Sequence, residues 1–243
     1  MIQSILQHQR KAKLGYFWEL FDPLMQIGLW FGMFLLFGRV RVIYDMNLFL
    51  FLSTGIVSLF FFQKIATEMP GAMKRFAAYA RFPVVNQSDT LIAGGVLEAV
   101  LMTLVAVILW GAIIFFGVGF SPADPLGVMG ALACLGALGF GFGWFNACAL
   151  VFVPVYAKFL PILYRVLFFT SGAIFPMESL PPHIFKYLQW NPVYQGVDLV
   201  RSFWSYTHET YTSSDGYVLF WASVFLLFGL VLNKPAERAR SKK

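Results

Sequence analysis

Few residues of this chain have the type or spacing for bond chemistry. The three histidines, His8, His183 and His208, are scattered over borders of apolar stretches and read as solvated or interfacial side chains. No His-x-x-x-His pair occurs, and no two carboxylates share an apolar run, so neither a zinc-hydrolase site nor an acid–base couple is indicated. A Gly-Lys dipeptide is missing throughout, which excludes a phosphate-cradling P-loop. Cys134 and Cys148 stand in one apolar run and read as buried thiols, not as a disulfide framework or metal ligands. What remains is Glu98 and Arg165, each a short way inside an apolar segment. Charge at membrane depth is costly and faces protein or a water-filled path. Both sit near enough to a segment end for their heads to reach water. The other reading is a buried ion pair, with each other or with a neighbouring subunit. No catalytic residue, metal or cofactor is expected in this chain.

The elements that must carry these residues follow from composition. The 243 residues are 59% hydrophobic, 19% aromatic and only 12% charged. A soluble domain is about 45–50% apolar and about 25% charged, so an ordinary soluble fold is excluded. Disorder is excluded too, because it needs low hydrophobicity. Six apolar segments stand out, at about 24–38, 47–63, 91–117, 126–153, 159–175 and 217–232. With flanking aromatics most approach the ~20 residues that cross hydrocarbon. Lipid offers no partners to backbone N–H and C=O groups, so each should be helical. Runs such as Leu59-Phe60-Phe61-Phe62 lack β-barrel alternation. The first segment lacks a small-x-small cleavage site and reads as an uncleaved span, not a signal peptide. The expected fold is an all-α membrane protein of six spans in one domain.

Basic residues set the orientation. With a cytoplasmic N-terminus, Arg10, Lys11, Lys13, Lys64, Lys74, Arg75, Arg81, Lys158, Lys234, Arg238, Arg240, Lys242 and Lys243 are inside. Only Arg39, Arg41, Lys186 and Arg201 are outside. This positive-inside bias puts both termini in the cytoplasm and accounts for the net +6 without nucleic acid.

Two connections exceed plain loops. In the cytoplasmic one, 63–89, Pro70 can open a helix as a first-turn residue. Ala72, Met73, Phe76, Ala77 and Ala80 then share a stripe, with Lys74, Arg75 and Arg81 off it. Such a helix lies on lipid headgroups or docks a soluble partner, with Pro70, Met73, Lys74, Phe76 and Tyr79 as the docking set. In the outer connection, 176–216, Ser179 and Pro181-Pro182 signal a helix start, with Ile184, Phe185 and Leu188 as its buried side. Asn191-Pro192 breaks it, and a second helix runs from Val193 to about Tyr206. Too short to cross and too apolar for free loops, these helices suit re-entrant or interfacial placement. The break then falls against protein or a water-lined path, with Trp190 and Tyr194 beside it and Arg201 able to meet an anionic ligand. Gly139/Gly143 and Gly28/Gly32 form small-xxx-small faces for close helix packing, within or between subunits.

Four stretches carry a resemblance. They are Leu14-Gly15-Tyr16-Phe17-Trp18 with Pro23, then Phe51-Leu52-Ser53-Thr54-Gly55-Ile56, then Asp89-Thr90-Leu91-Ile92-Ala93 with Leu97-Glu98. The last joins Ser171-Gly172, Phe175-Pro176, Ser179-Leu180-Pro181, Trp190-Asn191-Pro192 and Val197-Asp198-Leu199-Val200-Arg201. In this order and spacing, over nearly the whole chain, they resemble the membrane subunit of ABC-2 type exporters, specifically the capsular polysaccharide export permeases. Members usually carry a longer stretch ahead of the Leu-Gly-Tyr motif, which leaves residues 1–9 without a role.

The resemblance implies six spans, an amphipathic gate helix before the first, and re-entrant helices before the sixth. It implies a permease homodimer in the bacterial inner membrane, driven by two copies of an ABC ATP-binding subunit that carries the ATP and Mg. The cargo is a glycolipid-linked capsule polymer, passed on through a periplasmic co-polymerase and an outer-membrane channel. Arg10, Lys11, Lys13, Tyr16 and Trp18 then mark the substrate entrance, though the basic trio serves equally as an anchor to anionic lipid. An exporter of O-antigen, teichoic acid or a small lipophilic compound is the alternative within the family. A channel or membrane enzyme is the alternative outside it. Sugar rings have apolar C–H faces that aromatic platforms bind, and 28 Phe, 10 Tyr and 7 Trp supply many such faces. Most of those side chains must face lipid or pack.

Overall fold

The computed structural model describes residues 2–38, 43–79, 86–176, 179–208, 210 and 213–241, with side chains at all of these except 2–17, 74–79, 240 and 241. Within them the chain forms α1 (Ile2–Leu36), α2 (Leu48–Tyr79), α3 (Gln87–Phe115), α4 (Pro125–Phe152), α5 (Leu160–Thr170), α6 (Pro182–Leu188), α7 (Pro192–Trp204) and α8 (Asp215–Ser241). A five-residue 3-10 turn, Pro154–Lys158, precedes α5. No strand occurs among the described residues, only an isolated bridge between Ile43 and Met46.

Among the described residues five helical segments are long and apolar enough to cross a membrane: Trp18–Leu36, Leu48–Met73, Gln87–Phe115, Pro125–Phe152 and Asp215–Ala239. The segment expected at 159–175 is helical over only 11 residues. At 1.5 Å per residue that is roughly 16 Å, about half of a ~30 Å hydrocarbon core. α1 differs in the other direction. Its 35 residues make roughly 52 Å, so one continuous helix holds both the expected gate segment and the first span.

Local chemistry sets the starts. Asp124 accepts from Leu126 N and Gly127 N ahead of Pro125, the arrangement of a capped helix with proline at its first position. Asn191 does the same for α7 through Val193 N, with Pro192 at the first turn. The break at Asn191-Pro192 is therefore where the sequence places it. Pro70 behaves otherwise: it does not open a new helix but lies inside α2, which runs unbroken to Tyr79. A proline inside a helix deletes one backbone hydrogen bond, and packing on both sides of Pro70 outweighs that loss.

α2 is the central helix, with 78% of its span buried against 11% for α1 and 17% for α8. α4 and α8 pack side by side, α2 packs on α4 and α3, and α1 lies along α2. Buried Ser53, Thr54 and Ser58 bond carbonyls of their own helix, so their hydroxyls are satisfied in the core. Glycines let α4 approach closely. A Cβ at Gly139 would lie 2.7 Å from Phe62 O, and one at Gly143 would lie 2.9 Å from Ala66 O. The Gly139/Gly143 face is therefore an internal seam with α2, whereas Gly28 and Gly32 of α1 face open space. Both cysteines are buried and free.

The bundle has two ends. One carries α7, the turn at 43–46 and the α3–α4 connection, joined by Trp204 Nε1 to Phe120 O (3.1 Å) and by Ser205 Oγ to Tyr44 O (2.9 Å). The other carries the close of α2, the start of α3 and the end of α8. There Gln87 donates to Asn233 Oδ1 (3.0 Å) and Asn233 donates to Ser88 Oγ (2.8 Å). Ile184, expected on the buried side of α6, is exposed, and no residue of α6 is buried. Seven residues with two flanking prolines make too short a helix to close a face of its own.

Candidate functional site

Besides the Gln87–Asn233–Ser88 bonds, two larger polar constellations stand out among the described residues. The first is built on α1, α2 and α5. Glu19, Asp22 and Gln26 fall at i, i+3 and i+7 and so share one face of α1. On α2, Gln63 and Lys64 are adjacent and Thr67 lies one turn on from both, at i+4 and i+3. Lys64 Nζ lies 2.9 Å from Glu19 Oε2 and 2.8 Å from Asp22 Oδ2. Gln63 Nε2 donates to the Tyr164 carbonyl on α5 at 3.0 Å. Between the three helices a groove of about 350 Å³ opens on the surface. All three charged groups are partly exposed, so each pair contributes no more than about 1 kcal/mol. Their interest is their place: Lys64 lies within a helix segment long and apolar enough to cross a membrane. Acceptors, donors and a hydroxyl stand together there beside Phe60 and Met25. That lining can bind a hydroxyl-rich ligand in several orientations. It has no nucleophile–base geometry, and no cluster of three or more potential metal ligands occurs among the described residues.

The second constellation surrounds α7. Asp198 is buried and takes His208 Nε2 at 2.8 Å on one oxygen and Ser213 Oγ at 2.6 Å on the other. The His208 ring stacks on Tyr44 at 3.8 Å. Tyr44 and Asp45 both have positive φ, 53° and 57°, a left-handed turn that side chains other than glycine adopt at a cost. Ser205 Oγ holds that turn, at 2.9 Å from Tyr44 O and 2.7 Å from Asp45 Oδ1. His208 is thus a structural partner of α7, not the solvated border residue its sequence position suggests.

Arg201 is the main correction. It is 2% exposed, and its guanidinium donates to Gly172 O (2.6 Å), Ala173 O (2.9 Å) and Phe51 O (3.3 Å). It also covers the Phe51 ring at 3.8 Å. Carbonyls of a broken helix claim it, so it does not face a passing polymer. Tyr194 is likewise buried, its ring edge-on to Phe185. Trp190 is exposed beside Tyr217, whose hydroxyl donates to its carbonyl at 2.7 Å. Asn191 and Pro192 form the start of α7.

The docking stripe changes too. Met73 is buried with Met69, Leu91, Trp144 and Ala236, so the bundle itself consumes that side of the stripe. Pro70 is half-buried. Lys74, Phe76 and Tyr79 continue α2, with side chains outside the described residues, as are those of Arg10, Lys11, Lys13 and Tyr16 in α1. Trp18 is exposed, edge-on to Phe21 at 5.3 Å. Glu98 is buried on α3 while Arg165 is exposed on α5, and the two do not pair. Sequence reasoning missed Glu19, Asp22, Gln26, Gln63, Lys64 and Asp198. The i, i+3, i+7 spacing on α1 was the available signal.

A family model described as "ABC-2 type transporter" matches residues 1–203. The chain is similar to two sequences of the polysialic acid transport protein KpsM of Escherichia coli, each 28% identical over 231 residues, 94% of this chain and 88% of the relative. It is also similar to the capsule polysaccharide export inner-membrane protein CtrC of Neisseria meningitidis serogroup B, 23% identical over 235 residues, 96% of this chain and 87% of that protein.

Proposed function

Because the chain belongs to the ABC-2 type transporter family, we propose that it is the permease subunit of an ATP-driven exporter that moves lipid-linked capsular polysaccharide out of the cytoplasm. The relatives' own names, a polysialic acid transport protein and a capsule export inner-membrane protein, support the cargo class. Two copies form the conduit in the bacterial inner membrane, and two ABC ATP-binding subunits supply ATP, Mg and hydrolysis. Both termini are cytoplasmic, as the basic residues favour. α5, with the turn before it and residues 171–176 after it, serves as a sixth crossing; α6 and α7 are the re-entrant pair. A periplasmic co-polymerase and an outer-membrane channel receive the polymer.

The observation that carries this reading is the polar groove of α1, α2 and α5, which contrasts with the exposed apolar face of α3 at Val96, Val100, Leu104 and Val107. A polymer of hydroxyls slides where each contact is modest and replaceable. Asp22, Gln26 and Thr67 offer such contacts, with Met25 and Phe60 for the apolar faces of sugar rings. Residues 74–79 are the part of α2 left to grip the ATPase. The basic Arg10, Lys11 and Lys13 lie at the cytoplasmic surface, where each contributes about 1 kcal/mol of attraction to anionic headgroups.

The test is occlusion. Cysteine at Gln26 or Thr67, blocked with a bulky thiol reagent in proteoliposomes containing the ATPase, stops polymer export. The same reagent at Val107, on the exposed side of α3, leaves export intact. Export that continues with Gln26 and Thr67 both blocked refutes the groove as conduit.

A further inference from the structure

α5 is loosely embedded for a helix in the apolar part of the chain: only Leu160 and Phe168 of its 11 residues are buried, and its close backbone contacts are chiefly with the turn that precedes it. Its two ends differ. Near its start Phe159, Ile162 and Arg165 are exposed, and Pro154 leads the 3-10 turn before it. At its far end the helix closes at Ser171 and the chain leaves right-handed helical geometry at Gly172, with φ 71°. Carbonyls there have lost the helical donors that would have followed. At membrane depth such groups need donors from elsewhere.

α7 and its cap supply them. Asn191 Nδ2 donates to Thr170 O at 3.2 Å and lies 3.1 Å from Thr170 Oγ1. Arg201 spans Gly172 O and Ala173 O and reaches across to Phe51 O of α2. A planar fork of five N–H donors can hold several carbonyls at once, which a lysine ammonium on a flexible stem does not match. Gly55 keeps the space open, since a Cβ there would collide with Arg201 Nη2 and Ala173 O. α7 is a firm base for this attachment: 10 of its 13 residues are buried.

We propose that Arg201, together with Asn191, is a positioning residue that pins the far end of α5 to α2 and α7, so that this end is the fixed point about which the loosely packed remainder of α5 swings over the polar groove. The bond from Gln63 to Tyr164 O lies on the swinging part and is the contact that parts as the groove widens. The drive for the swing rests on the transport reading; the pin does not.

Pulsed electron spin resonance on the assembled permease–ATPase complex tests it. Spin labels at Ile162 and at Phe169, both exposed, are each paired with one at Val107 on α3. Between the nucleotide-free and vanadate-trapped states the Ile162 distance shifts and the Phe169 distance holds. In Arg201→Lys and Asn191→Asp the Phe169 distribution broadens even without nucleotide. Asn191→Asp keeps the oxygen that caps α7 and loses only the donor to Thr170, so it decides the matter if Arg201→Lys fails to fold. The proposal is overturned if Phe169 shifts as far as Ile162, if neither shifts while ATP turns over, or if the variants leave the Phe169 distribution unchanged. ATP hydrolysis is read on the same samples. Without turnover the transport reading fails, and the nucleotide-free comparison of variants still decides the pin.

Discussion

Alanine at Gly139 sets a quantitative trial of the packing between α2 and α4. An ideal Cβ there lies 2.7 Å from Phe62 O and 3.3 Å from Phe62 Cα. A carbon and a carbonyl oxygen in contact sit about 3.3–3.6 Å apart, so the helices must part by roughly 0.6 Å or more. The obstacle is backbone inside a buried helix, which cannot rotate away. Overpacking of this kind costs about 1–3 kcal/mol. Glycine to alanine within a helix returns about 0.5–1 kcal/mol wherever it is made. Gly28 and Gly111 are the controls, because neither has an atom within 4 Å of its would-be Cβ. The helix gain is common to all three variants, so the difference between Gly139→Ala and either control is the clash itself, about 1–3 kcal/mol. That is roughly 5- to 150-fold in the unfolding equilibrium. Reversible unfolding by sodium dodecyl sulfate in mixed micelles, followed by tryptophan fluorescence, measures it. A difference below about 0.5 kcal/mol, the scale of an ordinary surface substitution, refutes the close seam.

Three further outcomes are expected. Ser205→Ala removes the hydroxyl that holds Tyr44 O and Asp45 Oδ1 and that accepts from His208 N; it costs about 1–3 kcal/mol, and amide exchange at 43–46 accelerates unless the turn holds itself. Lys64→Glu places like charges against Glu19 and Asp22 and weakens both folding and export; adding Asp22→Lys recovers part of each, and a pair of variants whose effects merely add refutes the bridge. Cys134 and Cys148 stay unlabelled by a membrane-impermeant maleimide in the native protein and react after denaturation, since both are buried; native labelling of either contradicts the packing around α4.

The long helices were legible because a span declares itself by an unbroken apolar run, and the hinge at Asn191 because a capping side chain followed by proline has one good reading. The apolar run at 159–175 was legible as well, but not that the helix in it stops at Thr170. That depended on donors from Arg201 and Asn191, distant in the chain. An arginine at a membrane border reads as charge available to a ligand; only the fold shows carbonyls of residues 51, 172 and 173 waiting for it. Lys64 was hidden for a related reason, as its carboxylates lie more than forty positions away on α1. Met73 sat on a recognisable stripe, yet periodicity cannot say whether a stripe meets a partner or its own bundle.

Pro70 and Gly143 have a joint meaning. A proline at 70 has no N–H to give to the carbonyl of Ala66, one turn back. A Cβ at Gly143 of α4 would lie 2.9 Å from that oxygen, beside Met69 Cγ at 2.7 Å and Ala66 Cα at 2.9 Å. The two positions face each other on packed helices: one leaves an oxygen without its helical donor, and the other, lacking a Cβ, leaves the space beside that oxygen open. Restoring an N–H at 70 would cover the oxygen but leave the steric limit at position 143 in place, so Gly143 should resist substitution whether or not Pro70 is replaced.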